Sequence, residues 1–397
     1  MKPSRRASGV TPSTTIAIDE KARRLAASGT RVWNLGAGQP DFPTPPCAAE
    51  AGIEAIRAGR TTYTSPNGTI ELRTAIAEKL GAENGVVVTP EEVLVGAGAK
   101  QSIYTALAAV LDDGDEVLLP APYWVSYPEQ VRLLGGVPKV IETDESTGFT
   151  LTPEALTRAI GPRSRVLMIN SPNNPTGAVY DRAQLEALAR IVVERDLLLI
   201  TDEIYETIVF GGAEHVSVAS LGREIAARTL TVNGVSKSFS MTGWRIGYAA
   251  GPRQWVDAAA GIQSHLSGNA SSISQAAAIA ALRDGGVACR EMAQVFAVRR
   301  ERVAAILARA PRLRVCPPRG AFYVFPDVSS YLGLQAEGRV IDTVDDLAAW
   351  LLETAHVAVV PGSAFGSSRH VRLSFAASNE VLDAGYGAFV DGLERLR

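Results

Sequence analysis

The chain has 397 residues, 46% of them hydrophobic, and its 39 basic residues nearly balance its 42 acidic ones. The balance leaves no general basic field for nucleic acid, and no uninterrupted apolar run reaches the roughly 20 residues that a membrane span needs. We therefore expect a cytoplasmic protein with a large core and two domains, and with neither nucleic acid nor membrane as a partner.

The residue types that form disulfides or bind metals are few. The three cysteines lie far apart along the sequence, and no two of the four histidines stand at positions i and i+4. Disulfide frameworks and structural metal sites need patterned ligands. We therefore expect neither a disulfide framework nor a metal site.

The N-terminal part of the chain begins with a segment that has no apolar period. Residues 1–14 are rich in Ser, Thr, Pro and Arg, which favours a mobile arm or a segment that lies on a neighbouring subunit. The spacing of apolar residues then predicts a helix over residues 16–28 and a short strand over residues 32–35. The strand enters a turn at Gly36 and Gly38, and a Gly-x-Gly pattern alone is more typical of a plain turn than of a ligand loop.

Short apolar runs alternate with helical patterns through the middle of the chain. The predicted strands are residues 93–95, 116–119, 137–141, 165–169, 197–201, 229–232 and 246–250. Strands that alternate with helices predict a mostly parallel sheet with helices on both faces. Such a sheet binds ligands at the carboxyl ends of its strands, so the residues that follow each strand are the candidates for a site.

The first of these strands is followed by a glycine turn and an Ala/Leu-rich helix that we expect to continue through Leu111. The turn reads Gly96-Ala97-Gly98-Ala99-Lys100-Gln101. A glycine turn at a helix N-terminus presents free backbone N–H groups and a favourable dipole to a phosphate. The spacing does not match a dinucleotide fingerprint, because a glutamine stands where the last glycine is required. The pattern favours a single phosphate.

Two charged residues follow later strands. Asp202 comes directly after the strand at 197–201, where the default role of an aspartate is to cap a helix. Lys237 follows the strand at 229–232 among small and hydroxylated residues. Partial desolvation there would lower the pKa of the amine, and a neutral amine can attack an aldehyde to form a Schiff base. Lys237 is therefore a candidate covalent anchor, with a solvated surface lysine as the alternative.

A long charged helix over residues 288–310 connects to a second domain. We predict strands at residues 321–325 and 371–375, with a helix at residues 345–352 between them. Arg372 stands in the middle of the last strand, and a buried arginine needs an anion, either an internal carboxylate or a ligand. The predicted units are residues 1–44, an arm and part of the small domain; 45–285, the large domain; and 286–397, the connecting helix and the small domain.

Seven segments resemble, in the same order, those of the class I/II aminotransferase family, which uses pyridoxal 5'-phosphate (PLP). They are residues 36–42, 61–73, 120–124, 170–177, 202–205, 236–247 and 371–375. The chain is most similar to the bacterial aspartate aminotransferase branch. The resemblance implies the fold-type I PLP-transferase architecture, an α/β fold with a mostly parallel sheet of the seven-stranded type in a large domain and a smaller α+β domain.

The resemblance also implies a role for particular residues at the cofactor. Lys237 would bind PLP covalently and move the reacting proton, Asp202 would keep the pyridine nitrogen protonated, and Tyr205 would hold the 3'-oxygen. The other implied cofactor contacts are Trp124 stacked on the ring, Asn174 on the 3'-oxygen, Gly98, Ala99, Lys100 and Arg245 at the phosphate, and Tyr63 reaching the phosphate from a neighbouring subunit. Tyr63 thus implies a homodimer with shared sites.

The implied substrate contacts hold carboxylates. Arg372 would clamp the α-carboxylate together with Asn174 and the backbone of Gly38. Lys100 would receive the distal carboxylate of an acidic substrate, beside Trp124. The function that follows is a ping-pong transfer of an amino group between an L-amino acid, with aspartate or glutamate expected, and a 2-oxo acid.

Other reactions on the same anchor residues stay open. They are transamination of aromatic substrates, alanine or prephenate, β-elimination, ring closure and an oxidase reaction. A regulator without turnover is a further alternative, although its sign in the sequence would be an appended DNA-binding domain. Two departures from the family pattern bear on the choice: Gly234 stands where many relatives have a phosphate-binding hydroxyl, and residues 11–13 have no lysine where prephenate-accepting relatives tend to carry one.

Overall fold

A seven-stranded sheet forms the centre of the computed structural model, which describes residues 2–397. Its strands are β2 (Val93–Gly96), β3 (Glu116–Ala121), β4 (Val137–Glu142), β5 (Ser164–Asn170), β6 (Leu198–Asp202), β7 (Thr229–Gly234) and β8 (Gly247–Ala250). The strand order is β2-β8-β7-β6-β5-β3-β4, and β8 alone runs antiparallel to its neighbours. The expectation of a mostly parallel sheet in an α/β fold is confirmed.

The central strands are buried on both faces because their sequences are almost continuously apolar. Successive residues of β5 enter different cores: Val166 and Met168 pack with one group of helices, whereas Leu167 and Ile169 pack with another. The charged side chain of β6, Asp202, stands at the carboxyl end of its strand. The carboxyl edge of the sheet is therefore the place where chemistry can be positioned.

Helices cover the sheet and form most of the remaining structure. They are α1 (Arg5–Ser8), α2 (Thr14–Ala27), α3 (Pro46–Arg57), α4 (Ile70–Asn84), α5 (Ala99–Ala108), α6 (Ser126–Leu133), α7 (Pro153–Ala159), α8 (Arg182–Glu194), α9 (Arg223–Ala226), α10 (Val235–Ser238), α11 (Arg253–Leu266), α12 (Ser272–Asp284), α13 (Gly286–Leu307), α14 (Val344–Trp350) and α15 (Asn379–Glu394). Side-chain caps fix several starts: Thr69 accepts from the Leu72 amide, and Asp181 forms a capping box with Gln184. None of the described helices is long and apolar enough to cross a membrane.

We call the seven-stranded sheet and the helices that cover it the large layer. A second, small layer contains short strands near both ends of the chain. They are β1 (Trp33–Asn34), β9 (Tyr323–Val324), β10 (Gln335–Ala336), β11 (Arg339–Val340), β12 (Val357–Ala358), β13 (Val360–Pro361) and β14 (Val371–Ser374). Strands β13, β14 and β9 form an antiparallel sheet, β1 pairs with β12 in parallel, and β10 pairs with β11. The division at residues 44 and 285 stays a prediction.

Three elements differ from the sequence-based expectation. The helix after β2 ends at Ala108 instead of continuing through Leu111. The strand expected over residues 321–325 is only β9, because the amide of Ala321, at φ 57°, donates to Ile208 of the large layer instead of to β14. Residues 5–8 form α1, for which no helix was predicted, within the segment expected to be a mobile arm or to lie on a neighbouring subunit, and the Thr11 amide donates to the Glu129 carboxylate at 3.0 Å.

Candidate active site

One cleft of about 520 Å³ lies between the carboxyl edge of the large sheet and the small sheet. Ten of the predicted site residues line it: Gly38, Ala99, Lys100, Trp124, Asn174, Asp202, Tyr205, Lys237, Arg245 and Arg372. Gly98 lies directly before Ala99 as the N-cap of α5. Tyr63, like Gly98, is not among the residues that line the cleft, and it is 96% exposed.

Lys237 reaches the cleft because β7 delivers the chain to the short helix α10. Its Nζ donates to the backbone carbonyl of Gly38 at 2.7 Å. Burial lowers the pKa of the amine to about 8, and the positive charges of Arg372 and Arg245 act in the same direction. The amine therefore becomes neutral, and nucleophilic, far below the pH at which an ordinary lysine does.

Asp202 is the last residue of β6 and is 4% exposed. One carboxylate oxygen accepts from the Tyr127 hydroxyl at 2.7 Å, and the other accepts from the Ile204 amide at 3.2 Å. Burial raises the pKa of Asp202 to about 6, and the two hydrogen bonds oppose that rise because they stabilise the charged form. The site thus holds a buried carboxylate that a neighbouring cation would keep ionised.

Tyr127 is a site residue that the sequence analysis missed. Besides its hydrogen bond to Asp202, its ring packs edge-on against Trp124 at 5.4 Å between centroids. The position three residues after Trp124, in the first turn of α6, was the available signal. Nothing in the sequence alone indicated that it contacts Asp202, which lies at the end of β6.

Arg372 lies on β14 and is 2% exposed. Its guanidinium donates to the Asn174 side-chain oxygen at 2.9 Å and to the Gly36 carbonyl at 2.8 Å. Among the described residues, no carboxylate forms an ion pair with it. An internal salt bridge was the alternative to a ligand-binding role, so the buried charge is paired with neutral oxygens only and still favours an anion.

The loop after β5 holds Asn174 in place through a second asparagine. The Asn170 side-chain oxygen accepts from the Asn174 amide at 2.8 Å, and its amide group donates to the Asp202 carbonyl at 2.9 Å. Asn170 therefore links the loops after β5 and β6. Its place as the first residue of the Asn-x-Pro-Asn-Asn segment was visible in the sequence, but its role was not predicted.

The N-terminus of α5 faces Arg245. Gly98, at φ 85°, has no side chain to cap the helix, and a Cβ there would lie about 2.5 Å from the Arg245 guanidinium. Arg245 is held by hydrogen bonds to the carbonyls of Thr242 and Ala97. A helix N-terminus and an arginine at the same end of the cleft form a donor set for a phosphate.

Lys100 projects from the first turn of α5, with its Nζ 4.9 Å from the centroid of the Trp124 ring. Burial lowers the pKa of this amine, and Arg245 lowers it further. The cleft therefore has a second cation, which is more exposed than Arg372.

Residues 36–44, of which the first four line the cleft, are held by contacts with other parts of the chain. Besides Lys237, Ser240 donates to the Phe42 carbonyl at 2.5 Å and Trp244 donates to Thr44 at 2.9 Å. Arg299 of α13 pairs with Asp41 in a two-pronged ion pair at 2.6 and 2.8 Å. The segment is thereby fixed between the lysine loop and the long helix.

Comparison with known proteins gives a consistent result over almost the whole chain. The family model for aminotransferase class I and II matches residues 30–388. The aspartate aminotransferase of Geobacillus stearothermophilus is 46% identical over 96% of each chain, and the aspartate/prephenate aminotransferase of Cereibacter sphaeroides is 47% identical over 94% of each. The crystal structure of the Rhizobium meliloti aspartate aminotransferase superposes with a TM-score of 0.96 at 43% identity and covers all of both chains. The chain belongs to the class I and II aminotransferase family and has its fold-type I architecture.

Proposed function

We propose that this protein is a PLP-dependent aminotransferase that takes aspartate or glutamate as amino donor and a 2-oxo acid as acceptor. The observation that carries the proposal is the convergence of Lys237, Asp202 and Arg372 on one cleft. Lys237 follows β7 in α10, Asp202 ends β6 and Arg372 lies on β14. They offer a nucleophilic amine, a buried carboxylate and a buried cation that forms no ion pair among the described residues. A panel of amino donors with 2-oxoglutarate, followed by product formation, tests the proposal, and acidic donors should be the best substrates.

The residues present fit PLP in charge and shape. The N-terminus of α5 and Arg245 would hold the phosphate, because both offer donors and positive charge. Trp124 offers a ring face, Asp202 a carboxylate for the pyridine nitrogen, and Lys237 an amine for the aldehyde. Asn174 and Tyr205 line the same cleft and offer donors for the 3'-oxygen. When bound, PLP supplies an electron-withdrawing ring that makes the substrate Cα–H acidic.

The protein's own groups would then carry the proton. Lys237 Nζ, with its lowered pKa, is neutral in a usable fraction near neutral pH and so can accept the Cα proton and return it at another carbon. Asp202 stabilises positive charge beside it, and its hydrogen bond from Tyr127 keeps the carboxylate oriented. Arg372 fixes the α-carboxylate, which holds Cα within reach of Lys237.

Acidic substrates need a second cation, because a carboxylate loses several kcal/mol of hydration in the cleft unless a fixed charge receives it. Lys100 is the candidate. Its amine lies over Trp124 and shares the cleft with Arg372, and it forms no ion pair among the described residues. Two cations in one cleft match the two carboxylates of aspartate and glutamate.

Lys100→Ala should therefore discriminate between donors. We expect kcat/KM for aspartate to fall roughly 10- to 100-fold, equivalent to about 1.4 to 2.7 kcal/mol, whereas kcat/KM for alanine changes much less. Steady-state kinetics with both donors measure the difference. Lys139→Ala is the matched control, since that lysine pairs with Glu116 outside the cleft. An equal loss for both donors would mean that Lys100 serves the cofactor and not the distal carboxylate.

We also propose a homodimer with shared sites. Tyr63 is 96% exposed, an unusual state for a tyrosine in an ordered turn before α4. Exposed Ile53, Ile56 and Ile70 lie on the neighbouring helices. A second copy that covers these residues would place Tyr63 where it can donate to a phosphate in the other subunit.

The proposed dimer predicts complementation between two defective chains, one with weakened cofactor binding and one without the anchor lysine. Tyr63→Phe damages the partner's site, whereas Lys237→Ala damages the chain's own site. Mixed dimers therefore contain one site with both lesions and one with neither, and should regain up to about half of the wild-type activity per hybrid. Co-expression with two affinity tags isolates the hybrid for assay. A monomer in solution, or a hybrid no more active than the Tyr63→Phe parent, would contradict the shared site.

A further inference from the structure

Tyr323 is a fully buried tyrosine on β9 that touches two parts of the proposed site. The Arg372 guanidinium carbon lies 4.4 Å from the centroid of its ring. Its hydroxyl lies 3.0 Å from the Tyr205 hydroxyl, and the two rings meet edge-on at 5.9 Å. One side chain thus joins the residue proposed to clamp the substrate to a residue proposed to hold the cofactor.

The direction of the hydrogen bond follows from the number of protons. Each phenol has one hydrogen to donate. If Tyr205 directs its hydrogen at the 3'-oxygen of the cofactor, only Tyr323 can supply the proton between the two hydroxyls. Tyr323 then donates to Tyr205, and a phenol that accepts a hydrogen bond becomes a stronger donor itself.

We infer that Tyr323 is a positioning residue that orients the Tyr205 hydroxyl toward the cofactor and couples it to the carboxylate clamp Arg372. The inference rests on the proposed function. Binding of a carboxylate at Arg372 would thereby affect the cofactor through Tyr323 and Tyr205. This is in addition to the effect through Asn174, which Arg372 contacts directly. Neither Tyr323 nor this route was expected from the sequence.

The sign of the coupling follows from the charges that surround the pair. Arg372 and Asp202 are the charged groups that act on Tyr205, and Arg372, Arg245 and Asp202 act on Lys237. The Arg372 charge strengthens Tyr323 as a donor. A carboxylate bound at Arg372 cancels that charge, which weakens the donation along the chain of hydroxyls. The Tyr205 hydroxyl would then stabilise the 3'-oxygen of a bound cofactor less, and the Lys237 nitrogen would hold its proton more firmly.

The test is a spectrophotometric pH titration of the bound cofactor in the holoenzyme. In Tyr323→Phe, the midpoint of the absorbance change should rise by roughly half to one pH unit, because one hydrogen bond to Tyr205 is lost. Maleate, a dicarboxylate with no amino group, should raise the midpoint in the wild type and raise it by clearly less in Tyr323→Phe. Tyr331→Phe is the matched control, since it removes another buried hydroxyl of the same layer, bonded to Glu394.

A double-mutant cycle separates a relay from a general loosening of the cleft. In the Tyr205→Phe background, Tyr323→Phe should cause no further shift, so the two shifts should not add. Additive shifts, or a Tyr323→Phe midpoint equal to the wild type, would overturn the relay. If Tyr323→Phe does not fold, Tyr205→Phe alone decides: a response to maleate that equals the wild-type response overturns it. A wild-type protein that forms no chromophore with PLP would instead overturn the proposed function.

Discussion

Lys237→Ala should lower kcat by at least about 10⁴-fold, because one change removes both the covalent anchor and the proton carrier. No other amine can replace it at the same place: Lys100, the second lysine of the cleft, lies over Trp124 beside the start of α5. Wild-type protein loaded with PLP should be yellow, and borohydride should fix the cofactor on the peptide that contains Lys237. Peptide mass spectrometry after reduction identifies the labelled lysine.

The control for this variant is Lys139→Ala, which removes a lysine paired with Glu116 at the far edge of the sheet and should keep normal turnover. A second check is the pH at which PLP is captured. With a pKa of about 8, Lys237 should react increasingly as the pH rises through that value, where an ordinary lysine would still be protonated. Labelling of any residue other than Lys237 would rule out the anchor.

Asp202→Asn should lower kcat at least about 100-fold while the protein keeps its fold and retains some PLP. The change preserves the shape of the side chain and, with the amide oxygen toward Tyr127, the hydrogen bond from that hydroxyl. It removes the charge and also the second acceptor oxygen, which accepts from the Ile204 amide. A preorganised charge beside a developing charge contributes about 3 kcal/mol or more, and each 1.36 kcal/mol is a factor of ten in rate. Single-turnover kinetics with a deuterated donor measure whether Cα–H cleavage has become slower.

Tyr127→Phe provides the graded comparison. It keeps the carboxylate and the ring contact with Trp124 but removes one hydrogen bond, so its loss should be no more than about tenfold. The same bond holds the pKa of Asp202 below the value that burial alone would give, so its loss should raise that pKa. When the pH is lowered, Tyr127→Phe should therefore lose activity at a higher pH than the wild type does. Near-normal turnover of Asp202→Asn would contradict the proposed role of the Asp202 charge in the reaction.

The parts of the site that could be predicted lie on single strands and their loops. Lys237 and Asp202 each follow a buried strand, and a parallel sheet brings such ends together, so local sequence was enough to place them on one edge. The fold class followed from the alternation of apolar runs with helical spacing. The glycine turn before α5 could be read for the same reason, since its shape is local.

The parts that escaped prediction depend on contacts between distant segments. Tyr127 of α6 donates to Asp202 at the end of β6. The Tyr323 hydroxyl of the small layer is hydrogen-bonded to the Tyr205 hydroxyl of the large layer. The buried ion pair of Lys79 with Glu206 is a further example, because neither residue type predicts burial until the partner is known. Periodicity reports which face of an element is buried. It does not report which side chains from distant segments will contact that face.

The pairing of β1 with β12 sets an order for assembly during synthesis. Trp33 pairs with Val357, and Arg372 donates to the Gly36 carbonyl, so the first strand has no native neighbour until nearly the entire chain has left the ribosome. The residues from β2 to β8 can meanwhile complete their sheet from segments that follow one another closely. The segment over the cleft is then held by contacts that form last, and closing so long a loop is slow. A ribosome-bound chain that stops before β12 should therefore have a finished large sheet and an unfinished cleft.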